Sequence, residues 1–236
     1  MWLVSSYSAS NLFSLRLSSS TSSGGKSHLI PTFYAVKMAL IDASFRWDGQ
    51  GEEDFHWIRP LKIAFKLPQS VIVNNSFVRT LKESRESEKS YQTTVGLRQY
   101  VFWEGLLFIA LETSDLLLYE KERLQRLVTF INYFGKRGSF VQYQKQWEEA
   151  ELPEHFSLEL SELQSNQQDL HRVIEQGMVI QMMDDMGTTS SFDAFDSYSA
   201  ARQKVHNDRI FKPIVLKGFK GVSSHGYTSY QGFSSS

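Results

Sequence analysis

The spacing of apolar residues changes period several times along the chain, and the order of those changes predicts its elements. Phe13, Leu15 and Leu17 alternate with Ser14, Arg16 and Ser18, so strand pieces are expected between Met1 and Leu17. Ser18 to Ser27 is a serine and glycine tract too polar to pack, expected to be a mobile loop. Pro31 and Thr32 then open a stretch in which Phe33, Val36, Leu40, Ile41 and Phe45 recur at helical spacing, with Gly49 and Gly51 ending it. Leu61, Ile63, Phe65 and Leu67 alternate with Lys62, Ala64 and Lys66, a second strand closed by Pro68. Residues 69 to 97 are polar and charged, a long excursion read as an extended hairpin. Gln99 to Leu111 is almost continuously apolar, which suits a central strand buried on both faces. Ser114 or Asp115 can cap a following helix whose stripe is Leu124, Leu127, Val128 and Ile131, with Gly135 as its stop. The segment SFVQYQKQW after Gly138 predicts one more strand.

The resulting order is strand, helix, strand, excursion, strand, helix, strand. It predicts an α+β fold of the ferredoxin-like βαββαβ kind, with an arm inserted between the second and third strands. The expected organisation is a ferredoxin-like domain over residues 1–150, its arm at about 69–97, and a C-terminal extension over 151–236. In that extension QGMVIQMMDDMG reads as a strand ending in a turn. Arg202, Lys204, Arg209, Lys212, Lys217 and Lys220 give a basic tail, and GVSSHGYTSYQGFSSS is low in complexity and expected to fray, so the tail is expected to be partly disordered. RNA-recognition modules use this architecture, as do many unrelated proteins.

Composition narrows the chemistry. The chain of 236 residues carries a formal net charge of −1, so no overall basic coat is present, although a local basic stripe would not show in the total. It has no cysteine, which removes disulfides, thiolate nucleophiles and cysteine zinc sites and suits a reducing cytoplasm. The N-terminal stretch lacks the pattern of a secretory signal. No run approaches the roughly 20 apolar residues that cross a bilayer. A soluble, cytoplasmic protein with no membrane contact is the expectation.

Gly24-Gly25-Lys26-Ser27 has the look of half a nucleotide-binding loop and fails the rest of the motif. Ser20 stands where the first glycine belongs, and Pro31 separates Lys26 and Ser27 from the helix whose free N–H groups would meet phosphates. The loop reads as a surface loop, or as one whose N–H groups and Lys26 touch a phosphodiester backbone. Asp184 and Asp185 in MMDDMG, with Asp193 and Asp196, read as a solvated turn, because the spacing fits no calcium loop. The six histidines, His28 among them, show no metal-ligand spacing, so neither a metal nor a cofactor is expected. In the excursion Arg79, Lys82, Arg85, Lys89 and Arg98 interleave with Phe77, Tyr91 and Tyr100. Cations neutralise phosphates and ring faces accept unstacked bases. Glu83, Glu86 and Glu88 nearly cancel that charge, so a solvated hairpin face is an equal reading. Lys136 and Arg137 sit between Gly135 and Gly138, in a loop that either approaches a phosphate or simply turns the chain.

Taken together, SSSTSSGGKSHLIPTFYAVKMALIDASF, the long arm before RQYVFWEGLLFIALE, and YFGKRGSFVQ resemble the Cas-five family of type I CRISPR Cascade complexes, of the RAMP superfamily. The likeness covers most of the chain as an order of features. It implies a non-catalytic subunit that binds the 5′ handle of the CRISPR RNA and links the backbone RAMP subunit to the large subunit, with target DNA near the PAM as a further contact. It also implies that the arm packs over RNA. With little to bury, the arm is expected to be disordered in the isolated protein. The RNA face implied comprises Lys26, with Lys37 behind it, the arm residues Arg79, Lys82, Arg85, Lys89 and Tyr91, then Arg98, Lys136 and Arg137. Two alternatives stay open: a metal-independent CRISPR RNA-processing endoribonuclease on the same fold, and a protein-only scaffold.

Overall fold

The computed structural model describes residues 1–17, 20, 24–83, 91–164, 177–196, 198, 199, 203, 204 and 206–233, without the side chains of Thr80 and Lys82. In chain order the elements are β1 (Trp2–Ala9), β2 (Gly24–Gly25), α1 (Phe33–Trp47), α2 (Gly51–Ile58), β3 (Ile63–Lys66), β4 (Ser70–Glu83), β5 (Tyr91–Glu104) and β6 (Leu107–Glu112). They continue with α3 (Leu118–Phe130), β7 (Val141–Glu149), β8 (Leu158–Glu159), α4 (Leu160–Gln164), β9 (Met178–Met186), β10 (Arg209–Ser223) and β11 (Tyr227–Gly232). The architecture is mixed α+β.

One sheet has the order β3-β6-β1-β7, with every neighbouring pair antiparallel. Its central strand β1 is buried on both faces. Leu3 and Tyr7 join the main core with α1 and α3, whereas Val4 packs with Ala64, Ala110 and Phe156 on the other side. The Tyr7 hydroxyl donates to the Val128 carbonyl at 2.8 Å and so ties the sheet to α3. Each fully buried Leu or Phe of this core contributes about 1.5–3 kcal/mol through burial. No helix among the described residues is long and apolar enough to cross a membrane.

The excursion is a hairpin. β4 and β5 pair antiparallel from Ser70↔Glu104 out to Glu83↔Tyr91. Its root is held on both edges. β11 pairs with β4 at residues 70–74, and β2 runs parallel to Leu97–Arg98 of β5. The stretch expected to fray supplies β11 and the end of β10, and β10 also pairs with β9 and β8. Both described legs of the arm form a continuous ladder, and the expectation of disorder at its tip, residues 84–90, lies outside the described residues.

Three other expectations are corrected. Gln99 to Leu111 is two strands, because Gly105 takes φ +86° and turns the chain. Only β6 is central, while Phe102 of β5 is exposed. Gly51 opens a new helix, α2, after α1 has ended at Trp47, and Gly49 makes the turn between them at φ +82°. Ser114 caps nothing: its Oγ accepts from the N-terminal amine, and Glu120 accepts from Leu117 N at 2.8 Å to satisfy the start of α3. That helix stops at Phe130, short of Gly135.

Candidate nucleic-acid interface

Thr32 ends the loop and begins α1. Its backbone is extended and its Oγ1 accepts from Ala35 N at 3.3 Å, meeting one of the donors a helix start leaves unpaired. Just before it, Leu15–Leu17 and Lys26–His28 run as a short ribbon, with Leu17 N donating to Lys26 O at 3.0 Å and His28 N to Leu15 O at 2.8 Å. The glycines next in line lie flat on the arm. A Cβ on Gly25 would come within 2.6 Å of Arg98 Nη1 and 2.9 Å of Leu97 O, so this approach needs a residue without a side chain. Ser27 N donates to Gln99 Oε1 at 3.0 Å, and Gln99 Nε2 donates to Asn75 Oδ1 at 3.0 Å. The glycine loop is thus stitched to the root of the arm.

Beside that ribbon opens a cleft of about 300 Å³, at the lower end of the range for ligand sites. Arg16, His28, Tyr34, Lys136, Asp184 and Arg209 line it. Gly135, at φ +66°, carries the Lys136 loop to its edge, and a Cβ there would meet Leu15 at 2.9 Å. Arg16 donates through Nη2 to Ser20 O at 2.8 Å. Asp184 is 3% exposed and accepts from Arg209 Nε at 2.6 Å and from its Nη2. The Arg209 guanidinium lies over the Tyr34 ring, 4.5 Å from its centroid. Burial pushes His28 down to about 4, and its Nδ1 has no hydrogen-bond partner among the described residues. Burial raises the Tyr34 phenol. At neutral pH the cleft therefore presents three guanidinium or ammonium groups, one paired carboxylate and two uncharged rings.

The residues expected to form an RNA face fall into four groups. Lys136 lines the cleft, with exposed Arg137 next to it. Lys26 is exposed at the ribbon, and Arg98 is half-buried where the glycine loop meets the arm, its Nη1 donating to Leu97 O at 3.2 Å. Arg79 and Tyr91 stand exposed on one face of the arm together with Phe77, Leu81 and Val95, because directly paired residues of the two strands project to the same side. Arg85 and Lys89, and the side chain of Lys82, lie outside the described residues.

Lys37 is a correction to that face. It is 2% exposed, donates through Nζ to Asp185 Oδ1 at 2.6 Å and to Arg59 O at 2.7 Å, and points inward. The helical spacing that puts Lys37 behind Lys26 cannot reveal that β9 crosses α1. The same crossing corrects the acidic pair. Asp184 and Asp185 are both buried strand residues with cationic partners, where a solvated turn was expected. Among the described residues no three His, Asp or Glu side chains converge as a metal ion would require.

Sequence reasoning does not bring Arg16, His28, Tyr34 or Arg209 together. Arg16 carries a signal, as the long cation in an apolar alternation. Arg209 is legible only as one charge of a basic tail.

No protein-family model matches the chain. The chain is 20% identical over 229 residues to the CRISPR-associated protein Cas5 of Archaeoglobus fulgidus, a match spanning 93% of this chain and 96% of that protein. A chain of a CRISPR RNA-guided surveillance complex superposes with a TM-score of 0.51 at 10% identity, over 98% of this chain and 91% of the other. A crystal structure of a CRISPR protein from Archaeoglobus fulgidus superposes at 0.46 and 11% identity, over 99% and 92%.

Proposed function

We propose that this chain, a homologue of Cas5 along nearly its whole length, is a non-catalytic, RNA-binding subunit of a CRISPR Cascade complex. The strand order β3-β6-β1-β7 supports reading its body as a ferredoxin-like βαββαβ sheet and the β4–β5 hairpin as its thumb. The observation that carries the reading is the convergence of three backbone features on one cleft: the glycine loop's ribbon, the start of α1 and the Gly135–Gly138 loop, with Arg16, Lys136 and Arg209 around them. Cations at the rim hold phosphates and fix register, while unstacked bases supply specificity. The RNA is the 5′ handle of the CRISPR RNA, and sequence reading of the target is left to guide pairing. The arm, held at its root, reaches from this cleft toward the backbone and large subunits.

The titratable groups of the cleft favour holding RNA over cutting it. A general base or acid works best with a pKa near the working pH. Burial moves His28 down to about 4 and Tyr34 upward, so neither is poised near neutrality.

The test is direct binding. Purified protein is titrated with labelled repeat-derived RNA across a salt series, with EDTA present and product lengths read on a gel. Intact RNA should shift, and charge reversal at Lys136 and Arg137 should weaken binding and flatten the salt slope by about one for each phosphate no longer held. A discrete handle-length product would replace this reading with the endoribonuclease, and the absence of any shift would leave the scaffold.

A further inference from the structure

We propose that Arg209 is a stacking platform for one unpaired base of the bound RNA, a subsite that rests on the RNA-binding reading above. Three observations specify it. One edge of the guanidinium is taken, since Nε and Nη2 both donate to Asp184. One of its faces is taken, since Tyr34 lies beneath it at 4.5 Å. The side chain nevertheless stays 33% exposed and lines the cleft, so the face turned away from Tyr34 is the surface left for a ligand.

A guanidinium held in this way offers a fixed plane as well as the N–H groups of its Nη1 end. The plane suits a flat ring, because Asp184 pins the Nε–Nη2 edge and a base needs the face and not the edge. Unpaired nucleobases stack on arginine planes as they do on aromatic rings. Arg16 and Lys136 stand on the same cleft and would take the phosphates flanking that base. The parts are fixed before RNA arrives: Asp184 is set by the β9–β10 ladder and Tyr34 by the first turn of α1, so little ordering cost remains at binding. Arg209 Cζ thus forms the middle layer of a three-layer stack of Tyr34 ring, guanidinium and base.

The experiment scans the repeat-derived RNA with single abasic nucleotides and measures binding to the full chain and to Arg209→Lys. Lysine keeps the positive charge beside Asp184 and loses the plane. For the wild type, one abasic position should weaken binding by about 5- to 150-fold, the range expected for one stacked base. Arg209→Lys should lose a similar factor on intact RNA and nothing further at that position. Equal sensitivity of both proteins at every position overturns the platform while leaving RNA binding intact. A wild-type protein that binds no RNA overturns both.

Discussion

Asp184 and Asp185 are neighbours on β9 with opposite fates. Successive strand residues project to opposite sides, so one carboxylate meets Arg209 at an open cleft and the other meets Lys37 in the interior. Both aspartates are buried, yet Arg209 is a third exposed and Lys37 is 2% exposed. The difference separates two uses of an ion pair. The inner one is almost wholly buried and structural, with Lys212 as a second, more distant partner of Asp185 at 3.6 Å: burial lowers the Lys37 ammonium against the pull of Asp185, which raises it. The outer one holds a cation flat while leaving it reachable.

The largest expected effect breaks the inner pair. Lys37→Met should cost about 3–5 kcal/mol in chemical denaturation, because Asp185 would stay buried without its main partner. Adding Asp185→Leu should recover most of that loss, since a well-packed apolar pair often replaces a buried ion pair at little cost. A double variant as unstable as the single one would show that the pair does more than cancel its own charge.

Next in size is the response to acid beside the outer pair. His28 binds a proton near 6.5 when unfolded and near 4 when folded, so the unfolded chain takes up more protons between those values. Its contribution is fully present above pH 6.5 and is lost as pH falls toward 4, by about 3 kcal/mol. Comparing the pH dependence of unfolding for wild type and His28→Gln isolates it. Identical curves would mean that the ring takes up its proton alike in the folded and unfolded chains.

The smallest effect should come from the outer pair itself. Asp184→Asn should lower stability by about 1 kcal/mol, because solvent screens its partly exposed partner. A cost equal to that of Lys37→Met would erase the contrast between the two sides of β9.

Much of the body is legible in the sequence because period alone reports it. The stripe Phe33, Val36, Leu40 and Ile41 predicts α1, and Ile63 and Phe65 predict β3. The excursion at 69–97 predicts a hairpin, although its strands extend further, to Glu104. The site is less legible, for a physical reason. Arg16, His28, Tyr34, Lys136, Asp184 and Arg209 come from five separate stretches of chain, and the ribbon beside Arg16, the turn at Gly135, the crossing of β9 over α1 and the pairing of β9 with β10 together bring them to one cleft. A charge met along the chain carries no sign of whether it is sealed, as Lys37 is, or presented, as Arg209 is. The order of the basic tail is hidden in part for the same reason, because β10 and β11 form a hairpin of their own but are placed by β9 and by the distant β4.

The pairing of β11 with β4 has a consequence for how the chain matures. β4 emerges during synthesis roughly 150 residues before the strand that covers its inner edge. Throughout that interval its unpaired N–H and C=O groups form an adhesive border, open to any passing strand. Contacts so distant in sequence also form slowly. A newborn molecule should therefore be most prone to clumping just before its closing strand arrives, at the root of the arm and not at its tip.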